Sequence, residues 1–195
     1  MAANPQRLII GISGASGVIY GIRMLQVLRE TSVETHLVIS KSAEVTIAYE
    51  TEWKAADVRH LADVVYPAAD IGAAISSGSF KTMGMVIAPC SVRSMGEIAN
   101  GVTSSLVSRA ADVVLKERRK LVLMLRETPL HAGHIRQMRA VTEMGAVVAP
   151  PVPAFYARPK SIEEMVDQTI GRILDLFDMD IGFTKRWGED IERIG

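Results

Sequence analysis

The stretch Arg7–Gly17, RLIIGISGASG, constrains this chain more than any other. Leu8, Ile9, Ile10 and Ile12 form a short apolar run without helical period, the pattern of a strand buried on both faces of a parallel sheet. A glycine-rich turn follows at once. Gly11, Gly14 and Gly17 can take backbone conformations closed to other residues, and Ser13 and Ser16 add hydroxyl donors. Val18, Ile22, Leu25 and Leu28 then recur at helical spacing. Such a unit would aim free N–H groups and the positive end of a helix at one point, where an anion such as a phosphate binds. The alternative is a tight turn that only packs helix on strand.

The spacing G-x-x-G-x-x-G is neither the dinucleotide G-x-G-x-x-G nor a Walker A loop, because no Gly-Lys-Ser/Thr closes it. The second strand, expected over Val33–Ser40, ends in Ser40-Lys41 without a carboxylate for a ribose. NAD is thereby disfavoured and a mononucleotide phosphate preferred, with NADP left open through Lys41.

Further strands are expected near Asp63–Tyr66, Met83–Ala88, Lys120–Arg126 and Ala146–Ala149, with helical segments between them. This alternation predicts an α/β fold, a doubly wound, mostly parallel Rossmann- or flavodoxin-like sheet in three layers. At 195 residues and 48% hydrophobic content the chain can bury one full core, so residues 1–195 are read as one domain. Lysine plus arginine equals aspartate plus glutamate at 22 each, which leaves no global field to attract nucleic acid or an acidic membrane. No apolar run approaches a membrane span, and a cytoplasmic location is expected. A single cysteine, Cys90, excludes an internal disulfide.

Ligands of such sheets bind beyond the carboxyl ends of the strands, and those ends carry a consistent chemistry here. After the first strand comes Ser13-Gly-Ala-Ser16-Gly, and after the second Ser40-Lys41. Met83–Ala88 is followed by Pro89-Cys90-Ser91-Val92-Arg93-Ser94, and Lys120–Arg126 by Glu127-Thr-Pro. A proline-rich segment with Tyr156 and Arg158 follows the last strand. Ser91 would also serve as an ordinary helix N-cap, and Cys90 as a small buried residue. His131 and His134 sit three apart with no cysteine or carboxylate cluster to complete a metal site, so no metal is expected. Ile75–Ser79, ISSGS, reads as a polar loop before a strand. Lys116-Glu-Arg-Arg-Lys120 ends a helix whose apolar positions are Leu106, Ala110, Val113 and Val114, where cations suit the negative terminus.

The helix from Ser161 carries one stripe, Ile162, Met165, Val166, Ile170, Ile173, Leu174 and Phe177, with Arg172 at its border. Such an arginine pairs at the surface or reaches into a groove. In the polar tail, about residues 182–195, Phe183 and Trp187 are expected to dock onto another subunit or onto the fold.

With these residues in view, the chain resembles the UbiX/Pad family of flavin prenyltransferases, within the wider flavoprotein-decarboxylase superfamily. The resemblance runs from about Arg7 to Trp187 through GISGASGVIYG, ISKSAE, YETE, SSGSF, APCSVRSMGEIANG, SRAADVVLKERR, LRETPLH, PPVPAFY and RWGE. It implies that reduced FMN is a substrate, joined at N5 and C6 to a dimethylallyl group from dimethylallyl phosphate without a metal, and that the product passes to a UbiD-type decarboxylase. It implies FMN contacts at Gly14, Ala15, Ser16, Ser40, Ser91, Val92, Arg93, Ser94 and Arg126. It also implies a phosphate pocket of Ser77, Lys116, Tyr156 and Arg172 with Arg109 close by, and polar groups near the reacting flavin at Ser16, Glu50 and Glu127. A homo-oligomer follows from the same resemblance, a twelve-subunit shell with sites at subunit contacts. Some relatives carry a tryptophan shortly before the SGS loop, where Ile71 stands here. Two other readings are direct FMN-dependent decarboxylation of aromatic acids or peptidyl cysteine, and a non-catalytic FMN carrier. Neither needs Lys116, Tyr156 and Arg172 together.

Overall fold

The computed structural model describes residues 6–191. The chain divides into two compact units, one running to Pro150 and the other starting at Pro151. Tail positions 192–195 lie outside the described residues.

The first unit is built on six parallel strands: β1 (Arg7–Ile12), β2 (Glu34–Ile39), β3 (Val64–Tyr66), β4 (Gly84–Cys90), β5 (Lys120–Leu125) and β6 (Val147–Val148). Their spatial order is β3-β2-β1-β4-β5-β6. The order therefore reverses between β1 and β4, the switch point at which doubly wound sheets bind ligands. Between the strands lie α1 (Val18–Leu28), α2 (Lys41–Glu50), α3 (Ala55–Arg59), α4 (Val92–Ala99), α5 (Leu106–Lys116) and α6 (Ala132–Glu143).

Both sheet faces are covered, which explains why β1 and β4 read as unbroken apolar runs. Ile9, Met85, Ile87, Leu121 and Leu123 share one core with Met95 and Ile98 of α4, Ala110 and Val114 of α5, and Val141 of α6. Leu8, Ile10 and Ile12 alternate to the opposite face and are equally buried. On that side α1 lies close to β4: a Cβ added to Gly21 would stand 2.3 Å from the Ala88 carbonyl oxygen.

The first turn uses the freedom of glycine once: among its three glycines only Gly17 has a positive φ, 93°. Gly11 and Gly14 answer to space instead, since an added Cβ would meet Met85 Cε at 3.0 Å and Ser42 Oγ at 2.4 Å respectively.

In the second unit, Ser161 caps α7 (Ile162–Asp175) by accepting the Glu164 amide at 3.2 Å. Val166, Ile170, Ile173, Leu174 and Phe177 are buried, as the stripe predicts. Ile162 is not: at the first helical position it stays 70% exposed, and the buried face begins one turn later. Residues Thr184–Arg186 of the tail dock on α7, where Gln168 exchanges hydrogen bonds of 3.1 and 2.9 Å with the Lys185 backbone. Arg186 adds a two-pronged pair to Asp175 at 3.1 and 3.0 Å.

Candidate functional site

The carboxyl ends of β1, β2, β4 and β5 converge on one concave region. A cavity of about 330 Å³ is lined by Gly14, Ala15 and Ser16 after β1, Ser42 after β2, Ser91, Val92 and Arg93 after β4, and Arg126 and Glu127 after β5. A second cavity of about 450 Å³ shares Ser42, Ser91 and Arg93 with it and extends past Ser40, Ser94 and Ser105. All nine residues expected to contact FMN thus line one or both cavities.

Helix starts explain why serines sit at these ends. Ser40 caps α2 by accepting the Ala43 amide at 3.1 Å, and Ser91 caps α4 by accepting the Ser94 amide at 3.2 Å. The capping role and the cavity-lining role coexist, because a hydroxyl occupied by one amide keeps further hydrogen-bonding capacity. Ser42 escaped sequence reasoning; its signal was its place two residues after the Ser40 cap.

Helix α1 behaves differently from the expectation of free terminal amides. The Glu50 carboxylate, at the end of α2, accepts the Gly17 amide at 2.7 Å and the Val18 amide at 3.3 Å. Gly17 has no side chain to cap with, so Glu50 supplies the cap from another element and places negative charge at the positive helix end. Ser13 is also not a free donor; its buried hydroxyl is spent on the end of β4.

The region fits a phosphate-bearing mononucleotide. Hydroxyls converge on it from three strand ends, and two arginines line it, Arg126 and Arg93, the latter paired with Glu97 at 3.0 Å. Cys90 is not a nucleophile here: full burial pushes its thiol up to about 12. Among the described residues no group of three or more His, Cys, Asp or Glu gathers as metal ligands. His131 and His134 stack face to face with centroids 3.6 Å apart, and the His131 ring accepts the Gly133 amide.

Of the residues expected around the substrate phosphate, those of the first unit are not among the lining of these cavities. Ser77 and Lys116 lie at the opposite, amino-terminal edge of the sheet, in the segments leading into β4 and β5. They are brought near each other: a Cβ on Gly78 would stand 2.7 Å from Lys116 Nζ, and Ser77 Oγ is 2.9 Å from Ser79 Oγ. Arg119 closes this loop by donating to the carbonyls of Gly78 at 2.6 Å and Phe80 at 2.7 Å. Lys116 pairs with Glu117, whose carboxyl is held below its usual range by that hydrogen bond. Strands of six or seven residues separate this loop from the cavities, roughly 20 Å at ~3.3 Å per residue. Arg109 lies in the first turns of α5, paired with Asp112 at 2.8 Å.

Tyr156 and Arg172 belong to the second unit. Tyr156 lies in a 3₁₀ turn, Phe155–Ala157, and meets Trp187 edge to face with centroids 5.7 Å apart. Trp187 remains 76% exposed. Arg172 pairs at the surface with Asp175 at 2.6 Å. Ile71 is exposed.

The chain belongs to the Flavoprotein family, whose model matches residues 2–174. It is 54% identical to the flavin prenyltransferase UbiX of Thauera aromatica over 187 residues, 96% of either chain. Among solved structures it resembles AnUbiX (PadA1) in complex with FMN and dimethylallyl pyrophosphate, with a TM-score of 0.94 and 51% identity, covering 95% of this chain and 98% of that one. A dodecameric FMN-dependent UbiX-like decarboxylase from Escherichia coli O157:H7 superposes with a TM-score of 0.91 at 48% identity, over 93% and 99% of the two chains.

Proposed function

We propose that this protein is a flavin prenyltransferase that joins a dimethylallyl group to reduced FMN. The observation that carries this reading is the 54% identity, over 96% of both chains, to a protein of that activity. The serine-lined cavities at the switch point support it from the structure. Reduced FMN supplies the nucleophilic atoms, N5 and C6.

The chain's own residues would then do three things. Gly14, Ala15, Ser16, Ser40, Ser91, Val92, Arg93, Ser94 and Arg126 hold and orient the flavin, where proximity alone is worth ~7–11 kcal/mol. Ser77, Lys116, Tyr156 and Arg172, with Arg109 close by, hold the phosphate of the donor. Charge develops on that phosphate as the allylic carbon–oxygen bond breaks, so two cations and a phenol stabilise departure more than binding, with no metal required. Ser16 and Glu127 are placed to move a proton at N5, with Glu50 holding the turn that carries Ser16.

Because Lys116 and Ser77 stand at the far edge of the sheet from the cavities, one protomer's phosphate residues serve a neighbour's flavin. We propose a homo-oligomer, a dodecamer like the UbiX-like relative, built from single flavin-binding domains whose tails lie at subunit contacts. We place it in the cytoplasm, delivering its product to a UbiD-type decarboxylase; among the described residues no helix is long and apolar enough to cross a membrane.

Anaerobic incubation with reduced FMN and dimethylallyl phosphate, then mass spectrometry of the flavin, tests the reading. A flavin heavier by one dimethylallyl unit is expected, and the pyrophosphate run in parallel identifies the donor. Unchanged flavin with either donor overturns transfer. Carbon dioxide released from an aromatic acid would instead establish the decarboxylase reading that the name of the second structural relative favours.

A further inference from the structure

Ser13 is the one polar side chain of the first turn that faces away from both cavities. It is 1% exposed, at the end of β1. Its hydroxyl donates to the Pro89 carbonyl at 2.8 Å and accepts the Ser91 amide at 2.7 Å, while its own amide donates to the same Pro89 carbonyl at 3.2 Å. These bonds span the gap between β1 and β4 just where the ladder between them has stopped, after Gly11 and Ile87. On one side of Ser13 its carbonyl accepts the Ala15 amide at 2.9 Å, which sets the Gly14–Ser16 turn. On the other side Ser91 is the cap of α4 and bonds to Ser94, and the intervening Cys90 carbonyl accepts the Arg126 amide at 3.1 Å.

We infer that Ser13 is a positioning residue for the flavin: beyond the last ladder pair its hydroxyl adds two bonds to the backbone bond that the Ser13 amide makes, and so sets the two cavity-lining segments, Gly14–Ser16 and Ser91–Ser94, at one fixed separation. This rests on the flavin reading above. Parallel strands splay at their ends as the sheet twists, so with the amide bond alone the two turns take a wider range of separations. A ligand gripped from both turns then has to select one of them, which lowers its affinity. Removing the hydroxyl also leaves the Ser91 amide without its partner in a part-buried setting, so the loosening falls on the β4 side. A merely structural serine would cost stability without changing how the two turns cooperate in holding a ligand.

The experiment is a double-mutant cycle read by flavin affinity. FMN titrations on wild type, Ser13→Ala, Ser16→Ala and the double variant are paired with urea midpoints of the flavin-free proteins. Ser13→Ala is expected to weaken FMN about tenfold, and the Ser16→Ala penalty to shrink at least threefold in its background, because a turn no longer held in place has less to lose. FMN affinity within twofold of wild type in Ser13→Ala, or penalties that simply multiply, overturns the inference. Ser13→Cys keeps the volume with a weaker hydrogen-bonding group and carries the same comparison if the alanine variant does not fold. A wild-type protein that fails to bind FMN would overturn the flavin reading itself, a result distinct from the other two.

Discussion

At the scale of single residues, the phosphate-holding set offers the sharpest separation of roles. Lys116 and Arg172 each have a surface partner, Glu117 and Asp175, that would excuse them as ordinary ion pairs. Exposed pairs of this kind contribute little to folding. Lys116→Ala and Arg172→Ala should therefore leave stability almost unchanged. They should lower single-turnover prenyl transfer roughly 100-fold or more, the scale for losing one preorganised donor to developing charge. FMN titrations of the same variants should match wild type. Tyr156→Phe should do less, since it removes one neutral hydrogen bond and keeps the ring against Trp187. Rates near wild type in both cation variants would remove this pocket from the mechanism, and weakened FMN binding would move the two residues to the flavin instead.

At the scale of elements, two contacts govern how the sheet is closed. Helix α1 reaches β4 only because position 21 has no side chain. Gly21→Ala should push the helix off the strand and cost about 1–3 kcal/mol by overpacking, measured as a lower urea midpoint. One strand in from the β3 edge, the buried His36 of β2 lies between Glu34 at 2.8 Å and Tyr66 at 2.9 Å, with Phe80 edge-on at 5.2 Å. Burial lowers its pKa from the usual value, more than the Glu34 hydrogen bond raises it. The unfolded chain then binds a proton that the folded chain resists. Stability contributed by neutral His36 is present above about pH 6.5, the unfolded value, and falls as pH drops through it toward the folded value. His36→Gln should flatten the urea-midpoint profile as pH falls below about 6.5, whereas an unchanged profile would mean that another group titrates. Glu34 and Asp63, whose carboxyls are held low by Arg7 and by Thr35 respectively, lose their contributions only in the more acidic range.

For the whole molecule, the separation along the sheet makes a complementation test possible. Lys116→Ala damages the loop at the amino-terminal edge, and Arg126→Ala the cradle at the carboxyl edge. Subunits of the two variants, mixed and reassembled, should recover a fraction of wild-type transfer, because some sites combine an intact loop from one chain with an intact cradle from another. Light scattering should give an assembly well above one chain. A monomer with full transfer activity, or mixtures no better than their parents, would refute the shared site.

Much of this was legible in the linear chain because it depends on local rules. Unbroken apolar runs predict strands covered on both faces, and the strands expected near residues 63–66, 83–88, 120–126 and 146–149 all form within a few residues of those bounds. Serines at strand ends are visible for the same reason, since capping and ligand binding use one side-chain chemistry. The turn glycines were legible as glycines but not in their reasons: Gly14 yields to Ser42 and Gly11 to Met85, neighbours that only strand pairing and crossover bring there. The Glu50 cap, 33 residues from Gly17, and the Ser13 bridge, 78 residues from Ser91, are long-range hydrogen bonds with no sequence period. The sequence alone determines which segments become strands, helices and caps. Tertiary structure decides which polar groups are already satisfied, because a hydrogen bond between distant elements exists only once the sheet has set their distance.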